Sequence, residues 1–274
     1  MYATGSSFGP AGADSGREGA DLSGQAAGGL ISTTGRSGGE RTPIGATIAD
    51  HIASQNLVAG IVAALLARTR TGRGQRVDCS LLGGQIWAQA SEYMAYLMTG
   101  SVSGPANGGH PLIPGLYGIF RTSDGWIAVV GIVGALREEF YKLVGRPELA
   151  AMFPQPLYSE ADKAALFPLL DEAFGLRTTR EWCEALAAAG MRHAPVRDHA
   201  EVVSDPSVWE NGYIVRVEGD QGEVPVPGSP VRFSETPARA AARAPELGQH
   251  TEEVLLEVGY TWEQIGELSA SGAI

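Results

Sequence analysis

Cysteine is nearly absent: Cys79 and Cys183 are the only two in 274 residues. Two thiols so far apart support neither a disulfide framework nor a thiolate zinc site, and they suit a reducing cytoplasm. Lysine is as scarce, with Lys142 and Lys163 alone, and the 20 basic residues face 31 acids for a formal charge of −11. That balance excludes a general binder of nucleic-acid backbones. Long apolar runs are lacking too. The longest, Leu57 to Leu66 interrupted by Gly60, is about half of a membrane span, and the opening MYATGSSFGP has no basic or apolar region of a secretion signal. A soluble, cytoplasmic protein without a membrane partner is the expectation. What the chain does have is 44% apolar residues, enough to bury a sizeable core, and 37 glycines, which carry no functional reading by themselves.

Along the chain, the first forty-five or so residues are rich in Gly, Ser and Thr, with Asp21 standing just before a possible short helix. Thr47 and Asp50 have capping-box spacing ahead of a segment apolar on nearly every side that ends in Arg68, Arg70 and Gly72, so a buried core helix is predicted there. Arg76 to Ser80 is β-prone, and Leu81 to Met98 has helical length, with Trp87, Tyr93, Met94 and Leu97 read as core rather than as a cofactor box. After a loop from Gly100 to Gly115, LYGIFR and WIAVVG flank a TSDG turn and predict a hairpin. Helices are predicted at Ala135 to Val144, Glu160 to Phe174 and Thr179 to Ala189, the last with Thr178 and Glu181 as a capping box. Short strands then lead to two closing helices, with Thr251 as the cap of the first.

Several motifs fail on context. Gly5 to Gly9 matches the G-x-S-x-G of a nucleophile elbow, but Pro10 and the glycines after it cannot start the required helix. A Gly/Ser turn after an edge strand is the better reading. Gly72-Arg73-Gly74 stands before a strand, not after one, and lacks the third glycine of a dinucleotide fingerprint. The five histidines include no H-E-x-x-H pair, so no metal site is expected. Asp21 lies among Gly19, Ala20, Ser23 and Gly24, where a substrate could approach its carboxylate, although composition alone favours an N-cap. The loop Asn107-Gly108-Gly109-His110-Pro111 reads equally as an active-site lid or a plain connector.

Taken together, GADLSGQAAGGLISTTG, the stretch from IADHIASQ through RTRTGRGQRVDCSLL, NGGHPLIPGLYGIFRTSDGWIAV and the LGQHTEEVL ending resemble the class III CoA-transferases, the CaiB/BaiF family. The resemblance runs over essentially the whole chain. It implies an α/β fold: a truncated Rossmann-like large domain with a smaller α+β domain, divided as residues 1–100, 101–226 and 227–274, the last returning to the large domain. It also implies that Asp21 is the nucleophile, attacking an acyl-CoA thioester to give a mixed anhydride and then an aspartyl-CoA thioester, from which CoA passes to an acceptor acid. Gly108, Gly109 and His110 correspond to the family's glycine flap, shorter here, which would keep water from those intermediates. No cofactor or metal is implied, the CoA thioester being a substrate.

The α-methylacyl-CoA racemases form another branch of this family, with G-H-D-I-N-Y where this chain has Gly19-Ala20-Asp21-Leu22-Ser23-Gly24. That departure favours transferase. Relatives of about 400 residues imply that an N-terminal part is missing here, so the expected partners are a second copy in an interlocked homodimer or a chain supplying that part. A non-catalytic, partner-dependent fragment is the remaining alternative.

Overall fold

The computed structural model describes the chain except for residues 37, 106–108, 111, 114, 155–158, 220–221 and 239–243. It is a mixed α/β structure that divides into two compact units, Met1–Val196 and Arg197–Ile274.

In the first unit, β1 (Tyr2–Ser6) runs parallel to β2 (Arg76–Ser80), with Tyr2 opposite Arg76 and Ser6 opposite Ser80. Parallel neighbours need a crossover. It consists of α1 (Asp21–Ala27), α2 (Leu30–Thr33) and α3 (Ile48–Thr71). Helix α3 stops as predicted, because Gly72 takes a left-handed φ of 69° and donates its N–H to the Arg68 carbonyl. The predicted helix after β2 is broken in two, α4 (Leu81–Ala88) and α5 (Ala90–Thr99). At the break, Gln89 donates its side-chain amide to the Gly28 carbonyl at 2.7 Å, which ties the bend to the end of α1.

These helices meet backbone to backbone. A Cβ on Gly24 would stand 2.9 Å from the Cβ atoms of both Ala49 and Leu81, and one on Gly28 only 2.3 Å from the Cβ of Gln85. Glycine is what lets α1 sit this close to α3 and α4. The predicted burial of α3 is not observed. Only Ala49 and Ala64 of its residues are buried, while Val58, Val62 and Leu66 are 60%, 59% and 55% exposed. One stripe of the helix packs on α1, α4 and the strands, and a two-stranded sheet is too narrow to cover the rest. By length and composition α3 could also cross a membrane, a property that counting unbroken apolar runs had missed.

The rest of this unit is a three-stranded antiparallel sheet in the order β3 (Leu116–Arg121), β4 (Trp126–Ile132) and β5 (Arg192–Pro195). Packed with it are α6 (Leu136–Leu143), α7 (Leu149–Met152), α8 (Glu160–Phe174) and α9 (Thr179–Ala188). The predicted hairpin and capping box both form. Leu116 and Phe120 on β3, with Ile127 and Val129 on β4, alternate inward as strand period requires, onto Phe140, Leu166, Phe174 and Trp182. Phe174 stacks on Phe120 at 5.1 Å and lies 4.8 Å from the Trp182 ring, whose indole N–H donates to the Phe174 carbonyl.

The second unit holds α10 (His199–Ser204), α11 (Pro206–Glu210), the antiparallel hairpin β6 (Ile214–Gly219) and β7 (Gly222–Pro227), then α12 (Thr251–Glu257) and α13 (Trp262–Ala270). Thr251 is not the cap of α12: that position falls to His250, because the chain before it is wound into a turn in which Thr251 donates its N–H to the Gly248 carbonyl.

Candidate active site

Asp21 occupies the first turn of α1, but it does not cap that helix; Ala20 holds the cap position. Its carboxylate instead reaches the start of α3, where Oδ1 accepts the N–H of Ala49 at 2.7 Å and, more weakly, that of Asp50 at 3.4 Å. Oδ2 accepts the side-chain amide of Gln25 at 2.7 Å. Asp21 is therefore an N-terminal cap for a helix that begins twenty-seven residues later in the chain. The negative group also sits at the positive end of a 24-residue helix, a placement worth about 0.3–1 kcal/mol near a surface.

This contact displaces the local capping box predicted from Thr47 and Asp50. The Thr47 side chain accepts nothing from the helix it precedes. Asp50, relieved of reaching back, projects into a cleft of about 490 Å³ lined also by Gly5, Ser6, Ser7, Ala53, Ser54, Leu57, Cys79, Ser80 and Leu81. Its carboxylate takes no hydrogen bond from any described residue, and it is exposed. The cleft opens at the carboxyl ends of β1 and β2, where open parallel sheets place their ligands. The sequence reading did not weigh Asp50 as a candidate, because its spacing from Thr47 invited a purely structural reading. The signal for it was a lone carboxylate in the first turn of α3.

The described glycine-loop residues, Gly109 and His110, lie elsewhere. Gly108 falls outside the described residues, together with Asn107 and Pro111. His110 places Nε2 3.1 Å from Glu92 Oε1, accepts the Leu112 N–H at Nδ1, and sets its ring edge toward Tyr117 at 5.9 Å. Gly109 packs so closely on β3 that a Cβ would come 3.0 Å from the Tyr117 carbonyl oxygen. Among the described residues, then, the contacts of Gly109 and His110 are with α5, β3 and α8, while those of Asp21 are with Gln25 and the start of α3. A smaller cleft of about 190 Å³ lies beside Glu92, lined with Tyr93, Tyr96, Gln89 and Gly29.

The sequence profile of CoA-transferase family III matches residues 1–251. Human succinyl-CoA:glutarate CoA-transferase is 29% identical over 286 residues, taking in 100% of this chain and 63% of that protein. The α-methylacyl-CoA racemase of Mus musculus is 30% identical over 276 residues, or 98% of this chain and 70% of the racemase. Among solved structures, a CaiB/BaiF family protein from Brucella suis superposes with a TM-score of 0.79 at 30% identity, over 94% of this chain and 67% of that one. The chain thus spans less than two thirds of the length of the human transferase. With the profile covering nearly the whole sequence and the α/β architecture shared, the chain belongs to CoA-transferase family III.

Proposed function

We propose that this chain transfers CoA from an acyl-CoA donor to a carboxylic acid through an aspartyl-CoA thioester, with Asp50 as the attacking carboxylate and Asp21 as the group that holds it in place. One observation carries the choice: Asp50 lines the cleft with a free carboxylate, whereas both oxygens of Asp21 are engaged by Ala49 and Gln25. A nucleophile must offer a lone pair to an approaching carbonyl. The resemblance alone pointed to Asp21, and that remains the competing assignment.

The steps balance without ATP. An Asp50 oxygen attacks the donor thioester carbon, the C–S bond breaks, and CoA leaves as thiolate from a mixed anhydride. The thiolate attacks Cγ of Asp50, the Cγ–O bond to the donor acyl group breaks, and the donor leaves as a free carboxylate. The acceptor carboxylate then attacks Cγ, expelling the thiolate to form a second anhydride. Attack of the thiolate on the acceptor acyl carbon frees Asp50. No metal or cofactor is required, and water is the hazard at each intermediate.

Gly108, Gly109 and His110 keep the role of a flap in this reading. Because Gly109 and His110 sit on Glu92 and Tyr117, covering the carboxylate calls for a movement of the loop or for the loop of a second chain. An interlocked homodimer, or assembly with a chain supplying further strands, is supported by the apolar residues of α3, α4 and α5 left exposed, Val62, Trp87 and Leu97 among them. In such an assembly the division into residues 1–100, 101–226 and 227–274 describes which segments share a domain, and the cytoplasm is the compartment that supplies acyl-CoA.

The relative named for succinyl-CoA and glutarate makes dicarboxylates the first substrates to try. Purified chain is incubated with succinyl-CoA, the enzyme thioester is trapped with hydroxylamine, and the modified peptide is mapped by mass spectrometry. The label is expected on Asp50. A label on Asp21 returns the nucleophile to that residue. No label, with deuterium entering the α-position of a 2-methylacyl-CoA, makes the protein a racemase instead.

A further inference from the structure

We infer that Gln25 is a positioning residue for this transfer, acting through Asp21 on the placement of Asp50; the inference rests on the reading of Asp50 just given. Gln25 lies one turn after Asp21 on α1 and is 1% exposed. A primary amide so buried is tolerated only when its polar atoms are paired. Here every one of them is. Oε1 accepts the N–H of Ile44 at 2.9 Å, while Nε2 donates to Asp21 Oδ2 at 2.7 Å and lies 3.4 Å and 3.3 Å from the carbonyl oxygens of Ile44 and Ala46.

The direction of these bonds is forced. An ionised carboxylate can only accept, so the NH2 of Gln25 must face Asp21, and the Ile44 N–H can only donate, so the amide oxygen must face Ile44. Glutamine offers both without having to take up a proton. Its side chain pairs with the N–H and carbonyl of Ile44 as a neighbouring strand would, fastening the segment that enters α3 to the face of α1. It also fixes the second oxygen of Asp21, whose first oxygen holds the amide of Ala49. Asp50 is the next residue, and its own N–H bears on the same oxygen. The backbone from which the Asp50 carboxylate projects is therefore located by Gln25 from the loop side and by Asp21 from the helix side.

Gln85 on α4 is fully buried too, yet neither its nitrogen nor its oxygen has a partner among the described residues. Burial alone does not account for the bonds of Gln25. They converge on the one segment that carries the cleft carboxylate.

Two variants of the full chain, Gln25→Met and Gln25→Glu, test this by amide hydrogen exchange and by steady-state transfer from succinyl-CoA. In Gln25→Met, exchange at Ile44 and Ala49 is expected to rise at least about tenfold while the later turns of α3 and the 116–191 region keep their protection. The value of kcat is expected to fall by about 10²-fold, the scale of a small displacement of a reacting group, with the donor KM held within about threefold. Gln25→Glu carries the test within one protein: ionised, it cannot donate to Asp21, but once its carboxyl takes a proton it can. Its protection and its kcat should therefore recover on acidification, relative to the unsubstituted chain. Unchanged exchange at Ile44 and Ala49 overturns the inference, as does a rise in KM at constant kcat or a flat pH response of Gln25→Glu. If the thioester of the unsubstituted chain maps away from Asp50, the nucleophile assignment falls separately, and the exchange data still decide whether Gln25 holds the entry to α3.

Discussion

The two halves of the first unit are held together by different means. Between Leu116 and Met191, seventeen buried residues among those described form one apolar cluster in which the rings of Phe120, Phe140 and Trp182 gather around Phe174. Among the described residues of the first hundred, the buried apolar side chains are only Ala49 and Ala64, and the other buried positions there include Gln25, Gln85 and Gln89. That half is assembled from glycine contacts between helix backbones and from amide and carboxylate bonds across them. In the proposed reading stability and chemistry are thereby separated: the aromatic cluster can be disturbed without touching the cleft, and the cleft carboxylate can be removed without touching a core.

A crossed pair of substitutions puts this separation to its most severe test. Asp50→Ala is expected to lower transfer by roughly 10⁴-fold or more, since it deletes a covalent route rather than weakening binding. Because Asp50 is exposed and its side chain bonds to no described residue, the urea midpoint should stay close to that of the parent. Trp182→Ala should do the opposite in kind, costing about 3–5 kcal/mol of stability through the cavity left beside Phe174, while the fraction that remains folded turns over normally. Equilibrium unfolding followed alongside kcat separates the two. A large stability loss in Asp50→Ala, or a kcat defect in folded Trp182→Ala, would show that the halves are not independent.

A milder substitution sharpens the same contrast from inside the site. Gly28→Ala introduces a Cβ 2.3 Å from the Cβ of Gln85, between backbones that have nowhere to retreat without parting α1 from α4. Overpacking of this kind typically costs about 1–3 kcal/mol. The strain lies on the helix that carries Asp21 and Gln25, so kcat should fall together with stability, unlike in Trp182→Ala. A variant that keeps full kcat while losing stability would mean that α1 tilts without moving the start of α3.

The same division decides what could be read before the structure. The hairpin at Leu116 to Ile132 was legible because its apolar residues alternate, and α9 because Thr178 and Glu181 are local partners three positions apart. The parallel pairing of Tyr2–Ser6 with Arg76–Ser80 was not, since nothing in either segment names a partner some seventy residues away. At the candidate site, family resemblance pointed to Asp21, whose carboxylate the structure places between Gln25 and the start of α3. What stayed hidden was a competition. Thr47 and Asp50 have the spacing of a self-sufficient cap, and only the fold brings up Asp21 to take over the Ala49 amide and leave Asp50 free. The apolar excess of α3 was legible as well, but periodicity cannot tell a covered face from one that nothing yet covers.

The smallest effect belongs to the aromatic half, at the turn joining β3 to β4. Asp124 Oδ1 accepts the N–H of Thr179 at 2.7 Å and its hydroxyl at 2.9 Å, linking the hairpin to the start of α9. The Thr179 backbone bond first, then its hydroxyl, hold the Asp124 carboxyl below the usual carboxylate range, and the Thr178 N–H and hydroxyl do the same for Glu181. A depressed folded-state value means that the charged form is favoured by folding. The resulting stability is present in full above the ordinary carboxylate range and is lost as the pH falls through the lower folded value. Asp124→Asn keeps an acceptor for Thr179 but has no charge to lose. The stability difference between the parent and Asp124→Asn should therefore be constant near neutrality and shrink on acidification below about pH 4, the ordinary range of an aspartate. Urea midpoints of both proteins from neutral to acidic pH measure it. Because the Asp50 carboxylate takes no hydrogen bond from any described residue, Asp50→Ala should run parallel to the parent over the same range, and a difference that converges there as well would place a folding role on the cleft carboxylate.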